Sequence, residues 1–238
     1  MISGGRAIPG VALGWWTEDL QVGGVGPRER GARSDEALEV IHKLWNGIEI
    51  TEPGRFWDAS GLVLEPRPVQ SPCPLWYGGS EKALARANPW CTGLFTMNPT
   101  PDELRGTVVP AVRSSGAQHG RTLDLVVYNY VIVSDDQEWL EREIRPLLLG
   151  RLNYCSPAEL AQRTPEQVAG QVVPDGRVIW GNAEQCARQL LALLDAGADY
   201  LVLDFNFHGV RDLPFAREQL DRFVQQVVPL ADKLMGER

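Results

Sequence analysis

The stretch Pro74-Leu75-Trp76-Tyr77-Gly78-Gly79-Ser80-Glu81-Lys82-Ala83-Leu84 is a short apolar run that stops at two glycines and a serine and passes directly into a helix-forming segment. It reads as a strand that feeds a helix. The glycines let the backbone come close to a ligand, Ser80 is placed to cap the helix, and the first free N–H groups of that helix point at whatever sits there, which suits a phosphate. The competing reading is that Gly78-Gly79 supplies only a tight strand-to-helix turn. The residues alone leave both open.

Four other apolar runs share this character: Ala7 to Gly14, Gly93 to Thr96, Leu125 to Val133 and Tyr200 to Phe205. Helical patterns separate most of the five. Arg28 to Trp45 places Ala37, Leu38, Ile41, Leu44 and Trp45 on one face at helical spacing. Thr100-Pro101-Asp102-Glu103, Ser156-Pro157-Ala158-Glu159 and Thr164-Pro165-Glu166-Gln167 each set a hydroxyl at the cap, proline at the first helical position and Glu or Gln at the third. Asn182-Ala183-Glu184-Gln185 is a fourth start without the proline. Strand alternating with helix implies parallel pairing and an α/β architecture. Two inserts interrupt the rhythm. Glu49 to Pro68 reads as a hairpin around Pro53-Gly54 lying over one rim, and Val173 to Trp180 is a second candidate with Pro174-Asp175-Gly176 as its turn. There is no low-complexity segment and no linker, so residues 1–238 are expected to form one domain.

A chain of 238 residues with 44% hydrophobic content can bury a large core, and its length suits one αβ barrel or two small domains. The net charge of -8 argues against a nucleic-acid surface, because affinity for a phosphate backbone comes mostly from Lys and Arg. Small-molecule partners are expected instead. Cys73, Cys91, Cys155 and Cys186 are scattered, with no Cys-x-x-Cys pair and no His at ligand spacing, so neither a zinc site nor a disulfide frame is signalled. Reduced thiols in a cytoplasm are the simpler account. No apolar run approaches the roughly 18 residues of a membrane helix, and Met1-Ile2-Ser3-Gly4-Gly5-Arg6 lacks a secretory core, so no membrane is addressed.

Read as one unit, Ser3-Gly4-Gly5-Arg6, Gly10-Val11-Ala12-Leu13-Gly14-Trp15, Arg30-Gly31-Ala32-Arg33-Ser34-Asp35-Glu36, Leu44-Trp45-Asn46-Gly47, Pro66-Arg67-Pro68-Val69-Gln70 and Trp76-Tyr77-Gly78-Gly79 form a signature, continued by Ala183-Glu184-Gln185 and Leu194 to Leu203. Their order and spacing resemble the bacterial luciferase-like flavin monooxygenases, and within them the branch that uses the deazaflavin coenzyme F-420. The resemblance implies a TIM (β/α)8 barrel with FMN or F-420 at the C-terminal ends of the strands. Its phosphate would lie near Gly78, Gly79 and Ser80, and Gly10, Gly14 and Trp15 along the ring or ribityl chain. Trp15 is equally readable as a packing aromatic.

Several departures qualify the resemblance. In the family, the Ser-Gly-Gly-Arg element introduces the fourth strand, so the chain resembles a partial barrel of about strands four to eight, with part of the flavin pocket absent and catalysis in doubt. The expectation is an open arc of five parallel strands that associates as a homo-oligomer or with a partner chain. Thr92 stands where the family has an Asp before Gly93, and Pro9 lacks an N–H for a central strand. No catalytic residue is assigned. His42 and His119 have no suitable company; His208 and Asp204, at the end of the last strand, are placed where barrel enzymes put reactive groups, but Asp204 can equally cap the next helix. The functional expectation is a flavin- or deazaflavin-dependent oxidoreductase or monooxygenase acting on a small organic substrate. The alternative is a non-catalytic barrel subunit that associates with another chain.

Overall fold

The computed structural model describes residues 2–14, 16–87, 90–153, 164, 166–168, 170–207 and 211–237. Trp15, Cys155, the Ser156-Pro157 helix start, Pro165 and His208 lie outside the described residues. The chain divides into two compact units, one of residues 1–96 with 110–125 and the other of residues 97–109 with 126–238.

In the first unit, β1 (Gly10–Ala12) pairs in parallel with β2 (Trp76–Gly78), with Gly10 opposite Trp76 and Ala12 opposite Gly78. β2 pairs in parallel with β3 (Gly93–Met97), which sets Trp76 against Gly93 and Gly78 against Phe95. Ala7 to Gly14 yields only three strand residues, and Pro9 precedes them. Its missing N–H costs no ladder bond, and its carbonyl accepts the N–H of Trp76 at 2.9 Å. Proline is therefore compatible with this strand, because it stands before the ladder. α1 (Thr17–Val22) and α2 (Arg30–Trp45) follow β1. On α2, Leu38 is buried with Leu75, Tyr77, Ala87 and Cys91, and Ile41 and Trp45 pack against that cluster, so the periodicity located the buried face.

Residues 49–68 carry no strand. The expected hairpin is a loop closed by two backbone bonds, from Ile50 N to the Leu62 carbonyl at 3.2 Å and from Gly61 N to the Ile50 carbonyl at 2.7 Å. Its tip is fastened to α2 by the Glu36 carboxylate. That carboxylate accepts the backbone N–H groups of Arg55, Phe56 and Trp57 at 3.0–3.1 Å, and the Arg33 guanidinium lies over the Phe56 ring at 4.7 Å. Three N–H groups bound to a side chain cannot also form a ladder, which is why strand geometry loses here.

In the second unit, β4 (Asp124–Val133) is buried along nearly its whole length. Within this unit it takes two parallel partners: β6 (Tyr200–Asp204) beside Val126 to Tyr130, and β5 (Ile179–Gly181) beside Val131 to Val133. The β1–β2, β2–β3, β4–β5 and β4–β6 pairings are all parallel, as in an α/β chain. β5 lies in the second insert, where a turn was expected. The turn exists, with the Arg177 N–H bonded to the Pro174 carbonyl at 3.1 Å, but the residues after it run into a parallel strand. Arg177 holds this segment: it donates to the Asn98 carbonyl at 2.9 Å and pairs with Glu103, while its own carbonyl accepts Asn129 Nδ2 at 3.1 Å. Two helix starts form full capping boxes. Thr100 Oγ1 accepts Glu103 N at 3.1 Å with Glu103 reaching back to Thr100 N, and Asn182 does the same with Gln185 at the head of the helix Ala183–Asp195. Asp212, not Asp204, caps the helix that follows β6, accepting Phe215 N at 2.9 Å.

Candidate functional site

Parallel pairing brings the C-terminal ends of β1 and β2 side by side. Because Ala12 is opposite Gly78, the segment Leu13-Gly14 leaves the sheet next to Gly79-Ser80. Gly10, Gly14, Gly78, Gly79 and Ser80 thus belong to two adjacent strands and the loops that leave them.

The glycines differ in what they do. Gly14 has φ of 71°, a left-handed conformation that favours glycine, and Arg30 Nη1 fixes its carbonyl at 2.9 Å. A Cβ on Gly78 would meet Ala12 Cβ at 3.0 Å, so Gly78 lets β1 and β2 approach closely. A Cβ on Gly79 would meet Ala83 Cβ at 2.8 Å. At Gly10 the nearest atom to such a Cβ is the Trp76 carbonyl oxygen at 4.0 Å, so the sheet is open there. The structural role of the Gly-Gly pair is therefore real, which the sequence left as an alternative.

Donors for an anion remain at the turn. The N–H of Gly79 is spent on the Phe95 carbonyl at 2.9 Å. Ser80 holds the extended N-cap conformation, with φ of -82° and ψ of 176°, yet its exposed hydroxyl makes no capping bond, contrary to the cap expected from the sequence. Ala83 N bonds the Ser80 carbonyl at 2.9 Å, and the first N–H groups of the turn Glu81–Ala83, a segment that contains Glu81 and Lys82, have no bond to a described residue. The short helix Leu84–Ala87 continues this turn. Behind it, Arg86 pairs with Asp35 of α2 at 2.6 Å and Ser34 Oγ lies 3.4 Å from the Tyr77 hydroxyl. These bonds tie α2, β2 and the helix into one support.

Thr92, where the resemblance implied an Asp, has a local role. Its hydroxyl accepts Leu75 N at 3.0 Å and lies 3.3 Å from the Leu75 carbonyl, while Asp124 Oδ2 takes the Trp76 indole N–H at 3.0 Å. In the second unit, the sequence noted Asp204 but missed its partner: Tyr128 donates its hydroxyl proton to Asp204 Oδ2. Only the pairing register of β4 and β6 reveals that contact. Among the described residues no group of His, Cys, Asp and Glu is arranged to hold a metal ion, and no helix is long and apolar enough to cross a membrane.

Parallel strands alternating with helices, with a glycine-rich turn where two neighbouring strands end, define an α/β protein of the (β/α)-barrel class. The luciferase-like monooxygenase family model matches residues 1–200, and the chain belongs to that family. It is 25% identical over 265 residues to an FMNH(2)-dependent dimethylsulfone monooxygenase of Pseudomonas putida, covering 99% of this chain and 69% of that protein. It is 24% identical to an F420-dependent glucose-6-phosphate dehydrogenase of Nakamurella multipartita, covering 98% of this chain and 70% of the relative. Its fold matches that of an F420-dependent secondary alcohol dehydrogenase, solved in complex with an F420-acetone adduct, with a TM-score of 0.71 at 20% identity over 95% of this chain and 70% of the other.

Proposed function

We propose that this chain serves a flavin- or deazaflavin-dependent oxidoreductase, of the monooxygenase or dehydrogenase kind, acting on a small organic substrate with FMN or coenzyme F-420. One observation carries the reading: the ends of β1 and β2 adjoin, and the turn beyond β2 keeps hydrogen-bond donors that no described residue uses. Such donors suit a phosphate, and the relatives include both FMNH(2)-dependent and F420-dependent enzymes. Ser80 Oγ and the first N–H groups of the Glu81 turn hold the phosphate in this reading, with Lys82 adding charge. Gly78 and Gly79 keep the turn close to the sheet. Gly10 and Gly14 leave room for the ring or ribityl chain. The bound flavin supplies the electron or hydride chemistry, and the chain's own residues bind it, orient it and exclude water.

A second reading is a barrel subunit without catalysis of its own that completes its pocket with another chain. This chain spans 69% and 70% of the two relatives' lengths. On either reading the protein is placed in the cytoplasm, from its scattered cysteines.

Fluorescence titrations with FMN and with F-420, on this chain and on a version extended by three N-terminal βα units of a relative, separate the two. Binding by this chain that weakens in Ser80→Ala supports the enzyme reading. Binding only by the extended version supports the subunit. Binding by neither overturns the phosphate role of the turn.

A further inference from the structure

The helix Leu213–Arg222, continued by the turn Phe223–Val227, buries one side and exposes an apolar ridge on another. Gln219, Phe223 and Val227 are its buried side, whereas Leu213, Leu220 and Val224 are 77%, 45% and 53% exposed. Spacings of seven and four residues set those three on one stripe. Leu213 and Leu220 also wall an open hollow of about 530 Å3 together with Leu203 and Phe205, so the apolar surface runs on from the ridge to the end of β6. Exposed apolar residues scattered singly need no explanation, but a contiguous patch marks an interaction site.

Two charges on the ridge say what covers it. Arg217 and Asp221 are exposed and stand four residues apart along the stripe. Neither has an ion pair or hydrogen bond among the described residues, whereas their neighbours Glu218 and Arg222 are paired with each other at 2.9 Å. An antiparallel second copy, related by a two-fold axis at the level of Gln219, sets Arg217 of each chain opposite Asp221 of the other. The same axis brings Leu213 of each chain to Val224 of the other and the two Leu220 side chains together near the centre. The stripe is thus complementary to itself. A copy running in the same direction would instead oppose Arg217 to Arg217 and Asp221 to Asp221.

We propose that this face is the contact between two copies of the chain, packed antiparallel along the Leu213–Val224 ridge in a two-fold dimer. All of its residues belong to the second unit, and it makes no demand on the cofactor turn beside β2. The two exposed ion pairs set the direction of packing more than its strength. One helix face with its hollow is a small contact, below the roughly 800 Å2 per partner of a standard interface, so a Kd of about 10–100 µM is expected.

The test is sedimentation equilibrium on the full chain from about 1 to 500 µM, a range that brackets that Kd. Leu213→Glu places an acid in the first turn of the helix, which suits the helix dipole, so it is expected to leave the thermal melt unchanged and to abolish the dimer. Arg217→Asp and Asp221→Arg, each alone, oppose like charges twice across the axis and are expected to weaken association at least about ten-fold. Mixed in equal amounts, these two variants are expected to form a heterodimer about as tight as the parent, because every charge then meets its opposite. A dimer through another face would be indifferent to all three variants. A parent that stays monomeric across the range, a dimer that survives Leu213→Glu, or a mixture as weak as its components overturns the proposal. So does a monomeric parent that uses Leu213 to bind the three N-terminal βα units of a relative, which would assign the ridge to a different chain.

Discussion

A Cβ placed on Gly79 would stand 2.8 Å from the Cβ of Ala83, four residues on. The second glycine of the turn is thus demanded by the helix that follows it, whatever else the turn binds. Gly79→Val is expected to lower stability by about 1–3 kcal/mol in a urea melt without any cofactor. Lost flavin affinity in that variant therefore carries no message about a phosphate. Ser80→Ala is the clean probe: its hydroxyl is exposed and makes no cap bond, so stability is expected to hold within about 0.5 kcal/mol. Flavin affinity is expected to fall by an amount worth about 0.5–1.5 kcal/mol. Identical melts for Gly79→Val and the parent would show that the turn has slack to give.

The grip of Glu36 on the loop 49–68 predicts a dependence on pH. Desolvation pulls this carboxyl up, but the N–H groups of Phe56, Trp57 and Arg55, with the charge of Arg55, outweigh it and hold it below the ordinary 4.5. A lowered carboxyl stabilises the folded state above the unfolded value, and that stabilisation is lost as pH falls through the lower, folded value. Protection of the Arg55, Phe56 and Trp57 amides, measured by hydrogen exchange normalised to intrinsic rates, is expected to be flat from pH 8 to 5 and to fall only below about 4.5. Glu36→Gln, which retains an oxygen but loses the charge, is expected to lose much of the protection at neutral pH. Unchanged protection in that variant would mean that the Arg33 and Phe56 stacking holds the loop by itself.

The parts that could be read from sequence share one property: they depend on neighbours within a few residues. The five strands, the buried face of α2 and the capping boxes at Thr100 and Asn182 are of this kind. The Glu49 to Pro68 hairpin was misread because its decisive partner, the Glu36 carboxylate, belongs to a helix 19 to 21 residues earlier. β5 was hidden in what looked like a turn, since three residues carry too little periodicity to declare a strand and only β4 gives them a ladder. At the site, the sequence placed Gly78, Gly79 and Ser80 at a strand end but could not show that Gly79 spends its N–H on Phe95, 16 residues on. Tyr128 and Asp204 are 76 residues apart, and nothing local links them.

Gln219 shows how a polar residue can be essential to a buried strand. It is 3% exposed, and its Oε1 accepts the N–H of Val133, the last residue of β4, at 2.7 Å. Gln219→Leu keeps the bulk but strands a buried donor, an expected cost of about 1–3 kcal/mol in a chemical melt. Gln219→Glu retains an acceptor for Val133 but places a charge in the interior, so it is expected to be destabilised at neutral pH and to recover as the carboxyl protonates in acid. If Gln219→Leu melts with the parent, Val133 has found another acceptor.

The cysteines offer a separate reporter for each unit. Cys91 and Cys186 are 1% and 0% exposed, and burial pushes both thiols up to about 12. Cys91 belongs to the first unit and Cys186 to the second. The thiolate is the reactive form, so at pH 8 only about one molecule in ten thousand is ionised at either position, and the reagent must also reach the sulfur. Cys73 is half-buried, with a thiol also raised by burial. Iodoacetamide at pH 8, followed by peptide mass spectrometry, is expected to modify Cys73 first and to leave Cys91 and Cys186 untouched in native buffer. Increasing urea should then expose the two buried thiols as their units open. Separate urea dependences would show that each unit opens by itself, and a shared one that they open together. Native-buffer labelling of Cys91 or Cys186 as fast as Cys73 would mean that the unit concerned is already open before denaturant is added.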